Sequence, residues 1–102
     1  MTSSVLAIMD RKLGVTEFTE EEWAAVDKTT TAYTESKLRA EEAAWKYHKD
    51  HDEPFELCTI NPGFILGPTL GGAAGASESL ASKVMMGKLR YLPNIWMPVV
   101  DV

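Results

Sequence analysis

Cysteine, long apolar runs and blocks of positive charge are all scarce in this sequence, and each scarcity removes a class of proteins. Cys58 is the single cysteine among 102 residues, so no disulfide forms within the chain. A lone thiol fits a reducing compartment. No apolar run approaches the roughly 20 residues that a membrane-spanning helix needs. The opening MTSSVLAIMDRK has no basic segment ahead of its short apolar run, as a secretory signal would. Lysine and arginine are scattered and the net charge is −5, which argues against nucleic acid as a partner. These readings point to a cytoplasmic protein with neither a membrane nor a nucleic acid to bind. A composition 45% hydrophobic and 25% charged is ordinary for a soluble globular chain. The length suits one small domain at most. No internal repeat or linker is visible.

What is present has the grammar of an α/β protein. In TEEEW at 19–23, Thr19 and Glu22 have capping-box spacing, which predicts a short helix over about 20–26. Thr29, Thr30 and Thr31 offer N-cap hydroxyls for a longer helix over about 32–50. Glu35, Arg39, Glu42, Lys46 and Lys49 mark its solvated face, with Glu35–Arg39 and Glu42–Lys46 as i,i+4 pairs. Tyr33, Lys37, Ala40, Ala44 and Tyr47 form the opposite, inward stripe, flanked by Leu38 and Trp45. FELCTI at 55–60 reads as a strand, with Cys58 a small buried hydrophobe, and it ends at NPG, where Pro62 cannot donate to a ladder. GFILGPTLGGAAGAS is a glycine-rich connection. Ser77 caps a helix over about 78–87 that Gly87 ends, and the tail finishes as a strand at 99–102. In open α/β sheets, ligands bind at the carboxyl ends of strands, and NPGFILGP lies at such an end.

Lys37 is the one charge on the inward stripe, a turn away from Tyr33. Lysine stems often snorkel to water from such positions, and a tyrosine there is commonly a packing residue. Together the two residues mean more. An ammonium beside a phenol favours the phenolate and lowers the tyrosine pKa, which equips it for acid–base work on a carbonyl or carbinol oxygen. A hydroxyl donor would help to hold that oxygen; Ser3 and Ser4 are candidates, and both also suit plain capping. His48 and His51, near Asp50 and Asp52, lack a third ligand at metal spacing and read as a solvated helix end. Met85, Met86, Met97 and Trp96 read as core packing, with a substrate pocket as the alternative.

TSS about thirty residues before YTESKLRAEEAAW, followed by INPGFILGPTL and VVDV, resembles the extended short-chain dehydrogenase/reductase family, also known as the NAD-dependent epimerase/dehydratase superfamily. Within it, these segments are most similar to the dihydroflavonol-4-reductase and methylglyoxal-reductase-like branch. The resemblance covers the whole chain in order. It implies a nicotinamide cofactor, NADP or NAD with NADP favoured, and a small carbonyl or alcohol substrate. By the same resemblance, Tyr33 is the acid/base, Lys37 assists it and holds the nicotinamide ribose, and Ser4, with Ser3 as fallback, bonds the reacting oxygen. Pro62 and Ile65 pass the nicotinamide, Ser77 reaches the cofactor phosphates, and Ser4, Gly63 and Phe64 face substrate. No metal is implied. Residues 1–62 would be the later half of a Rossmann-type domain and 63–102 the start of a substrate-binding region.

The family's GxxGxxG-type loop, whose glycines let the backbone approach a pyrophosphate, is not in this sequence, and GGAAGAS has the wrong spacing for it. The expectation is therefore a central piece of a doubly wound parallel sheet without its first dinucleotide-binding βαβ unit. Such a piece would be marginally folded or self-associating, and inactive by itself. An epimerase, dehydratase or steroid dehydrogenase/isomerase of the same superfamily would use the same Tyr33 and Lys37. A non-catalytic piece would keep them without binding a cofactor.

Overall fold

The structure, a computed structural model, describes residues 1–9, 17–68, 71–72, 75–92, 94 and 96–102. The chain forms two compact units, Met1–Asn61 and Pro62–Val102.

The first unit is a helix closed by a parallel contact. Thr31 caps helix α1, Ala32–Asp50, its hydroxyl accepting from the Thr34 amide at 3.2 Å. The helix ends in a Schellman motif: the Glu53 amide donates to His48 O at 2.9 Å and the Asp52 amide to Lys49 O at 3.3 Å. Asp52 takes the left-handed position with φ 55°. Before the helix, Thr2 bridges in parallel to Ile60, which follows it. The Ile60 amide donates to Met1 O at 2.9 Å and the Ser3 amide to Ile60 O at 2.8 Å. Two parallel extended segments joined across a helix make a βαβ-type crossover. Ser4 then caps a 3₁₀ turn, Val5–Ala7. Among the described residues Ala7, Ala24 and Leu38 are the buried apolar ones, in a small core that also takes in Ser3, Ser4 and Glu41.

Four sequence expectations fail in this unit. The helix over 20–26 stops at one turn. Its cap forms, with the Thr19 amide donating to Glu22 Oε2 at 3.3 Å. The Ala24 amide, however, donates to Ala7 O at 2.9 Å, a tertiary bond that removes a donor the helix would need. The expected strand over 55–60 forms a bridge only at Ile60 among the described residues, and Cys58 O accepts from the Met1 amino group at 2.8 Å. Side chains there alternate, with Leu57, Thr59 and Asn61 turned inward, so Cys58 is exposed rather than buried. Lys46 pairs with Asp50 instead of Glu42, and Glu42 approaches Arg39 at 4.0 Å. The expected Glu35–Arg39 pair does form, at 3.2 Å.

The second unit repeats the crossover. Strand β1, Phe64–Leu66, pairs in parallel with β2, Val99–Asp101, with Phe64 opposite Val99, Ile65 opposite Val100 and Leu66 opposite Asp101. Helix α2, Ala76–Met85, lies between them in sequence and packs on β1. The strand at 64–66 falls where the sequence predicts a glycine-rich connection. Gly75, not Ser77, caps α2, and its amide donates to Glu78 Oε2 at 3.4 Å. Gly87, at φ 64°, closes a second Schellman motif: its amide reaches Val84 O at 3.0 Å and the Lys88 amide reaches Lys83 O at 2.9 Å. No described residue of this unit is fully buried. Met85, Met86, Met97 and Trp96 are exposed, so they neither form a core nor line a closed pocket. Parallel pairing across helices makes both units α/β, compatible with part of a Rossmann-type sheet.

Candidate functional site

Helix α1 brings Tyr33 and Lys37 together. They sit one turn apart, and Lys37 Nζ lies 5.9 Å from the Tyr33 ring centroid, within cation–π range. Lys37 is half-buried and Tyr33 is 56% exposed. Lys37 makes no ion pair among the described residues, so its ammonium is available to a ligand. The stripe that α1 buries lies to one side of the one expected. Leu38 and Glu41 are buried, with Thr34, Lys37, Ala44, Trp45 and His48 partly so, whereas Tyr33, Ala40 and Tyr47 face solvent, so the inward face is centred on the expected flank.

Ser4 is buried and already in use. Its Oγ accepts from the Leu6 amide at 3.3 Å as an N-cap, and its carbonyl accepts from the Ala7 amide at 2.9 Å and from Asn61 Nδ2 at 3.1 Å. Capping consumes an acceptor and leaves the hydroxyl proton to donate. Ser3 Oγ is buried without a hydrogen bond of regular geometry, yet it lies close enough to Glu41 to help stabilise that carboxylate.

Glu41 is the group that reading the sequence missed. Its Oε1 accepts from Thr59 Oγ1 at 2.9 Å and its Oε2 from Asn61 Nδ2 at 2.8 Å. Burial pushes its pKa up, but the hydrogen bonds from Ser3, Asn61, Thr59 and Trp45 outweigh burial and hold it below the usual carboxylate range. The sign available in the sequence was its position, three residues after Leu38 and four before Trp45 on one face. Glu41, Thr59 and Asn61 open onto a cleft of about 690 Å³ that Trp23, Trp45 and Ile60 also line. Tyr33, Lys37 and Ser4 do not line it.

Pro62, Gly63, Phe64, Ile65 and Ser77 belong to the second unit. The Phe64 amide donates to Pro98 O at 2.7 Å, so Phe64 bonds toward β2 and strand alternation turns the Ile65 N–H and C=O to the opposite edge. Gly63 has a packing reason for its identity: a Cβ there would lie 2.3 Å from Pro98 O. Ser77 is half-buried in the first turn of α2. His48 and His51 bond main-chain carbonyls, His48 that of Phe55 and His51 that of Tyr47 at 2.8 Å.

The residues present fit the nicotinamide end of a dinucleotide cofactor. An ammonium with no ion pair among the described residues suits ribose hydroxyls, and an accessible phenol and a spare hydroxyl proton suit a carbonyl oxygen. A phosphate cradle is not seen among the described residues: a Cβ at Gly71, Gly72 or Gly75 would meet nothing within 4 Å, so none is held against backbone as a phosphate-loop glycine is.

Comparison with known proteins adds chemistry. A cinnamoyl-CoA reductase of Medicago truncatula is 32% identical over 113 aligned positions, covering 100% of this chain and 33% of that protein. Cinnamoyl-CoA reductase 1 of Arabidopsis thaliana is 31% identical over 83, covering 78% of this chain and 24% of its own. A protein of Schizosaccharomyces pombe, named only as an uncharacterized oxidoreductase, is 42% identical over 52, covering 51% and 16%. The chain thus spans a third or less of these relatives. No protein-family profile matches it, and no solved structure does. The names of these relatives support an oxidoreductase.

Proposed function

We propose that this chain is the proton-transfer segment of a nicotinamide-dependent oxidoreductase, of the dihydroflavonol-reductase-like branch, that acts on a carbonyl or secondary alcohol. The observation that carries this is the Tyr33–Lys37 pair: a solvent-accessible phenol with an unpaired ammonium 5.9 Å from its ring, on a helix bonded through Glu41 and Asn61 to the Ser4 turn. When bound, the cofactor supplies or accepts the hydride. Tyr33 Oη donates a proton to the substrate oxygen in reduction and takes it back in oxidation. Lys37 holds positive charge beside that phenol and bonds the ribose hydroxyls. Ser4 donates its hydroxyl proton to the same substrate oxygen, holding charge as it develops. In the second unit, Ile65, whose N–H and C=O point away from β2, would pass the nicotinamide, with Pro62, Gly63 and Phe64 as its neighbours in sequence, and Ser77 in the first turn of α2 would hold the phosphates. NADP is the preferred cofactor. The relatives named for cinnamoyl-CoA reduction support a reductase over an epimerase.

The test is to titrate the purified chain with NADPH and NADH, following nicotinamide fluorescence, beside Lys37→Ala. Saturable binding that the substitution abolishes supports the reading. Equal binding by both chains, or none by a folded sample, refutes it for this chain.

A further inference from the structure

Among the described residues, the carboxylate buried under α1 makes no ion pair, and its regular hydrogen-bond partners are neutral donors. Thr59 Oγ1 and Asn61 Nδ2 give it one bond each. A primary amide has two N–H bonds. Asn61 directs one at Glu41 Oε2, 2.8 Å away on the helix, and the other at Ser4 O, 3.1 Å away on the turn. The three residues are distant in sequence, with 57 positions between Asn61 and Ser4 and 20 between Asn61 and Glu41. Ser4 O also accepts from the Ala7 amide at 2.9 Å. Both its lone pairs are then engaged, which fixes the peptide plane that follows Ser4.

We propose that Glu41 and Asn61 are positioning residues: Asn61 latches the Ser4 turn to the helix that carries Tyr33 and Lys37, and Glu41 orients the amide that makes the latch. Were Asn61 flipped, its carbonyl would face the Glu41 carboxylate and the Ser4 carbonyl, two acceptors, so the ionised Glu41 permits a single orientation. Thr59 bonds Glu41 but not Ser4, and so stabilises without latching. That the latched serine serves catalysis rests on the oxidoreductase reading above; the latch itself does not.

A reversed pair separates positioning from mere support. In Glu41→Gln with Asn61→Asp, the amide now on the helix donates to the carboxylate now at the strand end, and the amide's carbonyl still accepts from Thr59. The contact between helix and strand end is thereby restored, but the carboxylate at position 61 has nothing to donate to Ser4 O. The experiment measures thermal stability and amide hydrogen exchange by NMR in the 102-residue chain and in N61D, E41Q/N61D and Thr59→Val. The reporters are the Leu6 amide, bonded to Ser4 Oγ, and the Ala7 amide, bonded to Ser4 O. In N61D, two acceptors oppose each other, stability falls, and both amides exchange roughly fivefold faster, the size expected for one net hydrogen bond. In the reversed pair, stability recovers while the two amides stay fast. T59V lowers stability and leaves their exchange, relative to global unfolding, unchanged. Recovery of both stability and slow exchange in the reversed pair overturns the proposal, as does a T59V chain in which the two amides quicken as much as in N61D. Should N61D fail to fold, the reversed pair decides alone. Loss of cofactor binding in the parent chain would sink the oxidoreductase reading and leave this outcome untouched.

Discussion

Gly63→Ala should unfold the second unit more readily, although nothing about the backbone angles at that position forbids alanine. The added Cβ would lie 2.3 Å from Pro98 O, 2.7 Å from Pro98 Cγ and 2.9 Å from Pro98 C. These are a main-chain carbonyl and a closed ring, not the end of a flexible side chain, and the proline fixes its own φ. Relief requires a separation of about 1 Å, since unbonded heavy atoms settle near 3.5 Å. The same carbonyl accepts the Phe64 amide at 2.7 Å, the first rung between β1 and β2. Overpacking costs about 1–3 kcal/mol, and the lost rung about 1 kcal/mol. Against them stands the gain from a stiffer unfolded chain, about 0.4–1 kcal/mol. The clash wins by about 1–4 kcal/mol on these terms. Gly71 is the control, because a Cβ there meets nothing within 4 Å and its φ is not in the left-handed region. Gly71→Ala should be neutral or gain up to about 1 kcal/mol. Urea denaturation gives the energies, and hydrogen exchange at Phe64 and Val100 shows whether the ladder opens. A Gly63→Ala chain as stable as Gly71→Ala, with the Phe64 amide still protected, would refute the close approach of residues 63 and 98.

Three other outcomes follow from the same structure. Leu38 is 3% exposed beneath α1, so Leu38→Ala should destabilise the first unit by about 2–5 kcal/mol, read in a urea titration, and toward the lower end if so small a core collapses readily. Gly87 ends α2 at φ 64°, and Gly87→Ala should cost about 1 kcal/mol and fray the last turn, read as faster exchange at Lys88. Glu41 is held below its ordinary range, so the unfolded chain binds the proton more readily. The stability it contributes is complete above the unfolded carboxylate range and is lost as pH falls through the lower, folded value. Acid titration of thermal stability should therefore be less steep in Glu41→Gln than in the parent, and parallel curves would rule the linkage out.

Local chemistry was legible and tertiary choices were not. Helix α1 could be bounded at residues 32 and 50 because Thr31 caps it and its exposed face carries Glu35 and Arg39, which pair at 3.2 Å. Gly87 showed where α2 stops, since a left-handed residue there is cheap for glycine and costly for others. The strand at Phe64–Leu66 was hidden because its partner lies some 35 positions later, beyond any local pattern. The helix at 20–26 was overread for the opposite reason: its cap is real, but Ala24 spends its amide on Ala7.

The largest displacement concerned where the inward face of α1 is centred, and it changes what Lys37 means. Tyr33, Lys37, Ala40, Ala44 and Tyr47 trace one stripe; Thr34, Leu38, Glu41, Trp45 and His48 trace another, about 100° around the helix. Composition favours the first, because the second has a glutamate at its centre, and a glutamate is seldom buried. The structure buries the second because Thr59 and Asn61 supply the donors that let a carboxylate stay charged out of water. Lys37 is therefore not the odd charge in a core. It stands at the margin of the packed face, half-buried, with Tyr33 outside it and more exposed. At that margin the ammonium stays in reach of water, whereas a fully buried one would need its own partner. The charge that the helix truly buries is Glu41, one turn along, and its hydrogen bonds tie the helix to the residues that fix Ser4.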